Sequence, residues 1–296
     1  MGTRERRIGS YGLCRDGGRV LLVRGPDDSL FPGAWGLPGG TVQHAEHPAR
    51  TLVRRFVEQT GLSVEVGGVH AAVADVAHVS DRAVHTDRVV FEVTVRPGGS
   101  RVPSDRHPDV AWCTTAEASR LALLPFVVEL LDLPVAPASP TSEPAPVALT
   151  AQDRDRGQRF AAYGLVTDPA GRILLTMIAE GYPGAGRWHL PGGGTDHGEQ
   201  PIAALLRELV EETGQVGRVV EVVDVDNLHN PRAMGPEGRP MDWHSVRVVY
   251  RMVVDVPTEA VVTEAAGGST ARAAWFAPNQ IATLSLTEVA ARLTGR

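Results

Sequence analysis

This sequence contains no lysine, and all 29 of its basic residues are arginine. A chain without lysine cannot form the phosphate-binding loop that ends in Gly-Lys, a lysine Schiff base or the lysine site of a protein kinase. Cysteine is scarce too, since Cys14 and Cys113 are the only two and neither belongs to a Cys-x-x-Cys pair. This composition argues against a cysteine zinc site or a disulfide framework and favours a reducing compartment.

Long apolar runs are also missing. No stretch approaches the ~18 apolar residues of a membrane-spanning helix, and no apolar segment follows the basic N-terminus. We therefore expect a cytoplasmic protein without membrane contact. Acidic residues outnumber basic ones by 35 to 29, which argues against duplex nucleic acid as a partner. With 296 residues, of which 43% are apolar, the chain is long enough for two globular domains.

The chain repeats itself on either side of a proline-rich segment. Pro134–Pro146 reads PVAPASPTSEPAP, which cannot bury a core and predicts a semi-rigid linker. AWGLPGG before it resembles RWHLPGG after it, and the prolines of these motifs, Pro38 and Pro191, are 153 residues apart. A period this long indicates domain duplication rather than a solenoid. We predict a first domain over 1–133, a linker over 134–150 and a second domain over 151–296.

Short apolar runs and one helical pattern recur in each copy. RVLLV and RILLT predict buried strands, as do the valine-rich segments Val219–Val225 and Val246–Val254. Each helix has one apolar stripe, formed by Ala49, Leu52, Val53 and Phe56 in the first copy and by Ile202, Leu205, Leu206 and Leu209 in the second. A proline precedes each stripe and a glycine follows it, as is typical of helix ends. Strands that alternate with helices predict an α/β class, with helices packed on a mixed sheet.

The other face of the second helix is acidic. Glu208, Glu211 and Glu212 are spaced at i, i+3 and i+4, which predicts carboxylates that converge on one patch. A solvated acidic face is the ordinary explanation of such a triplet. Here, however, the helix follows the glycine-rich loop LPGGG at 190–194, whose backbone can approach a ligand closely. Three hard oxygen donors beside such a loop favour Mg²⁺ together with substrate phosphates.

The residues around this helix resemble the Nudix box, Gly-x5-Glu-x7-Arg-Glu-U-x-Glu-Glu-x-Gly-U, in which U is a bulky apolar residue. From Gly193 the sequence reads GGTDHGEQPIAALLRELVEETGQ, so every polar position and glycine of the pattern is present. The one departure is Gln215 at the last U position, where Val216 is the candidate to take over the packing. The resemblance extends to both copies and implies two Nudix-like α/β/α sandwich domains with mixed sheets.

The resemblance implies hydrolysis of a nucleoside diphosphate linked to another moiety, with Mg²⁺ or alternatively Mn²⁺. It assigns the metal to four residues: Gly193 through its carbonyl, Glu208, Glu211 and Glu212. Arg207 would orient the carboxylates, and Glu199 would brace the junction between loop and helix. The general base stays open. Glu264 is one loop candidate, although a solvated surface carboxylate is the more ordinary explanation.

The first copy keeps the frame of this motif and loses its carboxylates. GTVQHAEHPARTLVR runs from Gly40 through Glu46 to Arg54, but Arg55 and Gln59 stand where the box has glutamate. A cation would meet a positive charge at position 55, which repels it by several kcal/mol at an effective dielectric constant of about 20. We predict that this copy folds without catalysing. Packing in an intrachain pseudo-dimer or a homodimer, or binding a nucleotide without cleaving it, are the roles left open.

Two further features have competing explanations. The segment 227–243 is longer than its counterpart, and its Arg232 and Trp243 are candidates to clamp and stack on a nucleotide. A mobile surface loop explains this segment equally well. Asp242-Trp243-His244 resembles a metal or catalytic pair, but His85 matches His244 in the first copy and favours a shared structural role.

The sequence therefore predicts a Mg²⁺-dependent pyrophosphohydrolase that acts on a small nucleotide or nucleotide conjugate, with its chemistry in the second copy. The alternative is a nucleotide-binding regulatory protein, which has no need for Arg207 and three glutamates together. A diphosphate-directed isomerase ranks last, because no Cys–Glu pair is evident. The base, the sugar and the second moiety of the substrate cannot be read from these residues.

Overall fold

The computed structural model describes residues 3–27, 29–79, 81–96, 109–134, 156–234, 240–263 and 268–295. The chain divides into two compact units. One comprises Met1–Gln158 and His229–His244, and the other comprises Arg159–Leu228 and Ser245–Arg296. The predicted linker over 134–150 lies outside the described residues apart from Pro134, so the predicted domain bounds stay a prediction. No helix in the described ranges is long and apolar enough to cross a membrane.

The first repeat is a mixed sheet with helices. Its elements are β1 (Thr3–Asp16), β2 (Arg19–Arg24), β3 (Trp35–Gly36), β4 (Gly39–Thr41), α1 (Pro48–Thr60), β5 (Val64–Val79), β6 (Arg82–Val95), β7 (Val110–Thr114), α2 (Thr115–Ala118) and α3 (Pro125–Leu130). The strand order is β3-β2-β1-β6-β5, with β4 on β1 and β7 on β2. The sheet is mixed because β1 and β6 are parallel, whereas β5 and β6 are antiparallel.

The second repeat has the same arrangement. Its elements are β8 (Arg156–Thr167), β9 (Ile173–Ile178), β10 (Trp188–His189), β11 (Gly192–Gly194), α4 (Pro201–Thr213), β12 (Arg218–Met234), β13 (Pro240–Val253), β14 (Thr270–Phe276), α5 (Pro278–Ile281) and α6 (Glu288–Leu293). Its strand order is β10-β9-β8-β13-β12, with β11 on β8 and β14 on β9. The two sheets therefore have one topology, which confirms the predicted α/β class.

Both long helices begin and end where the sequence indicates. α1 starts at Pro48 and α4 at Pro201. Each ends at a glycine in the left-handed region, Gly61 with φ 68° and Gly214 with φ 67°, where other residues are strained. The four predicted strand segments also lie within strands, namely β2, β9, β12 and β13, apart from the terminal residues Arg172 and Val254.

The buried face of α4 differs from the predicted stripe. Leu205 and Leu209 are fully buried as expected, but Ile202 is 40% exposed. The buried arc is rotated toward the side that carries Ala204 and Glu212, because α4 contacts the glycine strand β11 there. The same correction applies to Val53 on α1, which is also exposed.

The predicted loop over 227–243 is largely β-structure. β12 continues to Met234 and β13 starts at Pro240, so the segment forms the end of a β-hairpin, with 235–239 outside the described residues. Pro231 lies within β12, and because β12 is at the edge of its sheet, a proline there removes no inner hydrogen bond. This end of the hairpin, His229–His244, is grouped with the first unit.

Leu205→Ala should lower the free energy of unfolding by about 2–5 kcal/mol, because it leaves a cavity between α4 and the sheet. Ile202→Ala on the same helix is the matched control and should change it by about 0.5 kcal/mol or less, as is usual for exposed positions. Denaturant unfolding of the full chain followed by circular dichroism measures both. Equal losses for the two variants would show that the orientation of α4 described above is wrong.

Candidate active site

The candidate site is built on the glycine strand β11, which pairs with β8 through Gly192–Tyr163 and Gly193–Ala162. Gly192 has φ 134°, and a Cβ atom there would lie 2.2 Å from the Ala162 carbonyl oxygen, so only glycine fits. A Cβ atom on Gly193 would lie 2.6 Å from Glu208 Oε1. The Glu208 carboxylate on α4 therefore packs directly against the backbone of β11.

Arg207 donates hydrogen bonds to three acidic residues of the motif. Its Nε donates to Glu199 Oε1 at 3.0 Å and its Nη2 to Glu199 Oε2 at 3.1 Å. Its Nη1 donates to Glu208 Oε1 at 2.9 Å and to Glu211 Oε2 at 3.3 Å. Glu199 Oε2 also accepts the Asp196 N–H at 2.8 Å, which fixes the loop before the helix. These contacts are the ones expected if Arg207 orients carboxylates and Glu199 braces the junction.

Glu208 and Glu211 differ in their surroundings. The Glu208 side chain is 15% exposed, whereas that of Glu211 is 42% exposed. Burial raises the pKa of Glu208, an effect that the hydrogen bond from Arg207 partly offsets, and the charge of Glu211 raises it further. The environment of Glu208 therefore favours additional positive charge beside it.

The Glu212 carboxylate is directed toward strands β11 and β14 rather than toward the other two carboxylates. It is buried, and it accepts the Gly192 N–H at 2.8 Å and the Thr270 hydroxyl at 2.5 Å. In the part of the chain that the structure describes, Glu208, Glu211 and Glu212 do not form a group whose ligand atoms all lie within 4.8 Å of one another. The expected convergence on one patch is thus only partial, because Glu212 holds β11 to α4.

Arg159 and Thr270 were missed by sequence reasoning. A Cβ atom on Gly194 would lie 2.0 Å from Arg159 Nε, so this guanidinium packs on the glycine strand, and its charge opposes part of the rise in the pKa of Glu208. In the sequence, the only indication of Arg159 is its match with Arg7 in the first copy. Arg159 precedes Tyr163 by the same number of residues as Arg7 precedes Tyr11. Nothing in the sequence indicates Thr270.

The packing role expected of Val216 belongs to Gln215. Val216 is 80% exposed, whereas Gln215 is buried. The Gln215 amide donates to the Thr213 carbonyl at 3.2 Å and to Thr258 Oγ1 at 2.9 Å, and it accepts the Thr258 N–H at 3.0 Å. A fully bonded amide replaces the apolar residue of the motif because it holds a neighbouring segment in place.

That segment, 258–263, closes over the end of α4. The Val261 N–H donates to the Thr213 carbonyl at 3.0 Å, and the Thr263 N–H donates to the Glu211 carbonyl at 2.8 Å. These bonds satisfy carbonyl groups that a helix end leaves free. Glu264, the loop candidate for the general base, lies outside the described residues.

The first copy reproduces the frame of the site. Arg54 donates to Glu46 at 3.1 and 2.8 Å, as Arg207 does to Glu199. The Gly39 N–H donates to Gln59 Oε1 at 2.8 Å, and the Gln59 amide returns a bond to the Gly39 carbonyl at 3.0 Å. The glutamine thus holds strand to helix as Glu212 does in the second copy, without a charge.

The charge on the helix face is what differs. Arg55 takes the position of Glu208, since a Cβ atom on Gly40 would lie 2.8 Å from Arg55 Nε. Arg55 also donates to Glu58 Oε2 at 3.0 Å, which neutralises the carboxylate that this face retains. The first copy thus places a guanidinium where the second places the Glu208 carboxylate, and the predicted loss of a cation site stays a prediction.

Arg232 and Trp243 belong to the first compact unit, whereas Arg207 and the box glutamates belong to the second. The Trp243 ring packs on the chain at Gly157, where a Cβ atom would lie 2.5 Å from Trp243 Cε3. Arg232 is exposed. Their role in substrate binding stays a prediction. The matched residues His85 and His244 are both fully buried, as a shared structural role requires.

Comparison with known proteins identifies relatives of this chain. The NUDIX domain family matches it twice, over residues 3–132 and 157–294. The CTP pyrophosphohydrolase of Escherichia coli K12 is 29% identical over 115 residues, which cover 39% of this chain and 81% of that protein. A putative 8-oxo-dGTP diphosphatase 3 of Mycobacterium tuberculosis is 32% identical over 145 residues, covering 42% and 64%. The crystal structure of a MutT protein from Methanosarcina mazei Go1 is 18% identical, with a TM-score of 0.38, and covers 48% of this chain and 94% of that one.

The two family matches coincide with the two repeats, and together they span most of the chain. The second repeat carries the complete motif on β11 and α4, and the curated relatives are named as hydrolases of pyrophosphate bonds. This chain is therefore a member of the NUDIX family, with two NUDIX domains in tandem.

Proposed function

We propose that the second repeat is a Mg²⁺-dependent pyrophosphohydrolase of a small nucleotide or nucleotide conjugate, and that the first repeat is catalytically silent. The proposal rests on one difference between the repeats, at the helix position whose side chain packs on the glycine strand. Glu208 packs on Gly193 in the second repeat, whereas Arg55 packs on Gly40 in the first.

The residues of the second repeat fit a hard divalent cation. Glu208 and Glu211 offer carboxylate oxygens, which Mg²⁺ prefers, and a Cβ atom at Gly193 would fill the space that the Glu208 carboxylate occupies. Glu208, Glu211 and the Gly193 carbonyl would hold the cation directly, and Glu212, which the sequence also assigned to the metal, would act through the Gly192 backbone that it holds. A bound Mg²⁺ supplies an activated water and neutralises charge that develops on the diphosphate.

The protein side chains prepare this site. Arg207 Nη1 donates hydrogen bonds to Glu208 and Glu211, and its Nε and Nη2 donate to Glu199. Its positive charge therefore reduces the repulsion between these carboxylates. Glu212 keeps the Gly192 peptide against the helix and so positions the backbone that faces the substrate. Preorganised groups of this kind need no rearrangement when charge develops in the reaction.

The substrate proposal rests on the relatives and stops at the class of nucleotides. Their names refer to CTP and 8-oxo-dGTP, which are both nucleoside triphosphates. A regulatory protein that only binds nucleotides would not require the network of Arg207, Glu208 and Glu211. A screen over a nucleotide panel with Mg²⁺, read as release of pyrophosphate and phosphate, tests the activity and identifies the substrate.

Glu208→Gln and Glu211→Gln should each reduce kcat on the best panel substrate by about 100-fold or more, the loss seen when one group that stabilises developing charge is removed. Glu58→Gln removes a carboxylate from the helical position that matches Glu211 and should leave kcat within about twofold, because Arg55 already neutralises it. Circular dichroism shows whether each variant is folded. A folded Glu208→Gln variant with native kcat would refute the assignment, and so would loss of turnover in Glu58→Gln.

Gly193→Ala should reduce kcat strongly, because the added methyl group would lie 2.6 Å from Glu208 Oε1 and displace this carboxylate. Gly40→Ala is the matched change in the first repeat, where the methyl group would lie 2.8 Å from Arg55 Nε, at the end of a flexible side chain. Steady-state kinetics of both variants measure the two changes in kcat. Similar losses in the two would mean that the first repeat contributes to the chemistry.

Arg232→Ala and Trp243→Ala should raise KM for some nucleotides of the panel and leave kcat nearly unchanged, the signature of lost uniform binding. Arg232→Ala is the cleaner test, since Arg232 is exposed, whereas Trp243 packs on Gly157. An equal fall of kcat for all nucleotides in Arg232→Ala would exclude a role in substrate choice.

A further inference from the structure

A second group of metal-ligand side chains lies within the first compact unit. His44 is in the connection between β4 and α1, His229 is on β12 and Asp242 is on β13. Their ligand atoms all lie within 4.8 Å of one another. His229 Nε2 is 2.7 Å and His44 Nε2 is 3.1 Å from the same oxygen, Asp242 Oδ1.

The two imidazoles are not equivalent. His229 has a hydrogen bond with Asp242 Oδ1. His44 Nε2, a buried atom, lies 3.1 Å from the same oxygen, but in an orientation that does not make a well-formed hydrogen bond. Two imidazoles thus converge on one carboxylate oxygen, and only that of His229 bonds to it with good geometry. Side chains that converge without fully satisfying one another are typical of a site that binds an ion.

A third imidazole packs beside these ligands. The rings of His44 and His244 meet edge to face with their centroids 5.5 Å apart, and those of His44 and His229 do so at 5.7 Å. His244 Nδ1 lies 3.0 Å from Gln158 Nε2, which fixes the orientation of the ring.

We propose that His44, His229 and Asp242 bind a divalent transition metal, with Zn²⁺ as the preferred ion. Two imidazole nitrogens and one carboxylate suit Zn²⁺, whereas Mg²⁺ prefers oxygen alone. Three protein ligands leave the fourth tetrahedral position to water. Arg156 faces the cluster with its Nε 3.9 Å from Asp242 Oδ2, but this side chain is 57% exposed, so solvent screens its charge.

This site goes beyond the proposed function, and its ligand set distinguishes it from the Nudix motif. The motif offers carboxylate and carbonyl oxygens, whereas the cluster offers two nitrogens and one oxygen. A bound ion would link three segments that are distant in sequence: the connection after β4 and the two strands of the hairpin end. It should therefore stabilise the folded chain as any ligand of the native state does.

The test uses the full chain, stripped with a chelator and titrated with Zn²⁺ in excess Mg²⁺, so that oxygen-only sites are filled. We expect one Zn²⁺ per chain with a Kd of about 10 µM or lower, within the range of moderate ligand affinities. Co²⁺ in place of Zn²⁺ should give visible absorption bands of a tetrahedral site. Saturating Zn²⁺ should raise the melting temperature.

His44→Ala and His229→Ala should each weaken Zn²⁺ binding by about tenfold or more, at least the loss seen when outer-shell partners of metal ligands are removed. Asp242→Asn retains the shape of the side chain and covers the case in which a histidine variant fails to fold. His70→Ala is the matched control, because His70 Nδ1 pairs with Glu92 Oε1 at 2.7 Å in the same unit and should not affect Zn²⁺ binding.

The variants also separate this site from the Nudix motif. If Glu208→Gln removes Zn²⁺ binding and His229→Ala does not, the ion belongs to the motif and the cluster is not a metal site. The proposal is equally overturned if the native chain binds no Zn²⁺ below about 100 µM, or if folded His44→Ala and Asp242→Asn variants bind it as the native chain does.

Discussion

The contact between the glycine strand β11 and helix α4 is the constraint on which the rest of the site depends. Because Gly192 and Gly193 lack a Cβ atom, the helix lies against the strand backbone, with Glu212 bonded to the Gly192 N–H and Glu208 packed on Gly193. This contact also turns the buried face of α4 away from Ile202. Fold and chemistry therefore share the same few residues.

The duplicated chain separates these two roles. Gln59 bonds to Gly39 as Glu212 bonds to Gly192, so the link between strand and helix needs a hydrogen-bond acceptor but no charge. The neighbouring helix position is where the repeats diverge, with arginine at 55 and glutamate at 208. The first repeat has the geometry of the site without its negative charge, because the contacts that stabilise this geometry are the hydrogen bonds of the Gln59 amide and the Arg54–Glu46 pair.

Local signals were sufficient to predict much of the structure. The proline and glycine ends of both helices and the apolar strands follow from residues close in sequence, and the resemblance to the Nudix box implied the Arg207 network. The exposure of Ile202 did not, because a tertiary contact decides which side of an amphipathic helix is buried. Gln215 was missed for a similar reason, since its amide partners lie more than 40 residues away, at Thr258 and Glu259.

Long-range pairing accounts for the remaining differences. The sequence predicted a surface loop for the hairpin end, because this segment is longer than its counterpart, yet it continues two strands of the sheet. It also brings His229 and Asp242 next to His44, a residue almost 200 positions earlier in the chain. The sequence contains no pattern for that grouping, because its spacing depends on the three-dimensional path of β12 and β13.

Anomalous diffraction from a crystal of the full chain soaked in Mn²⁺ tests the central claim most directly, since Mn²⁺ replaces Mg²⁺ at oxygen sites and its position can be observed without an assay. The account predicts an anomalous peak beside Glu208 and Gly193, and none beside Arg55 and Gly40. A peak beside Arg55, or a fully soaked crystal without a peak beside Glu208, would contradict it.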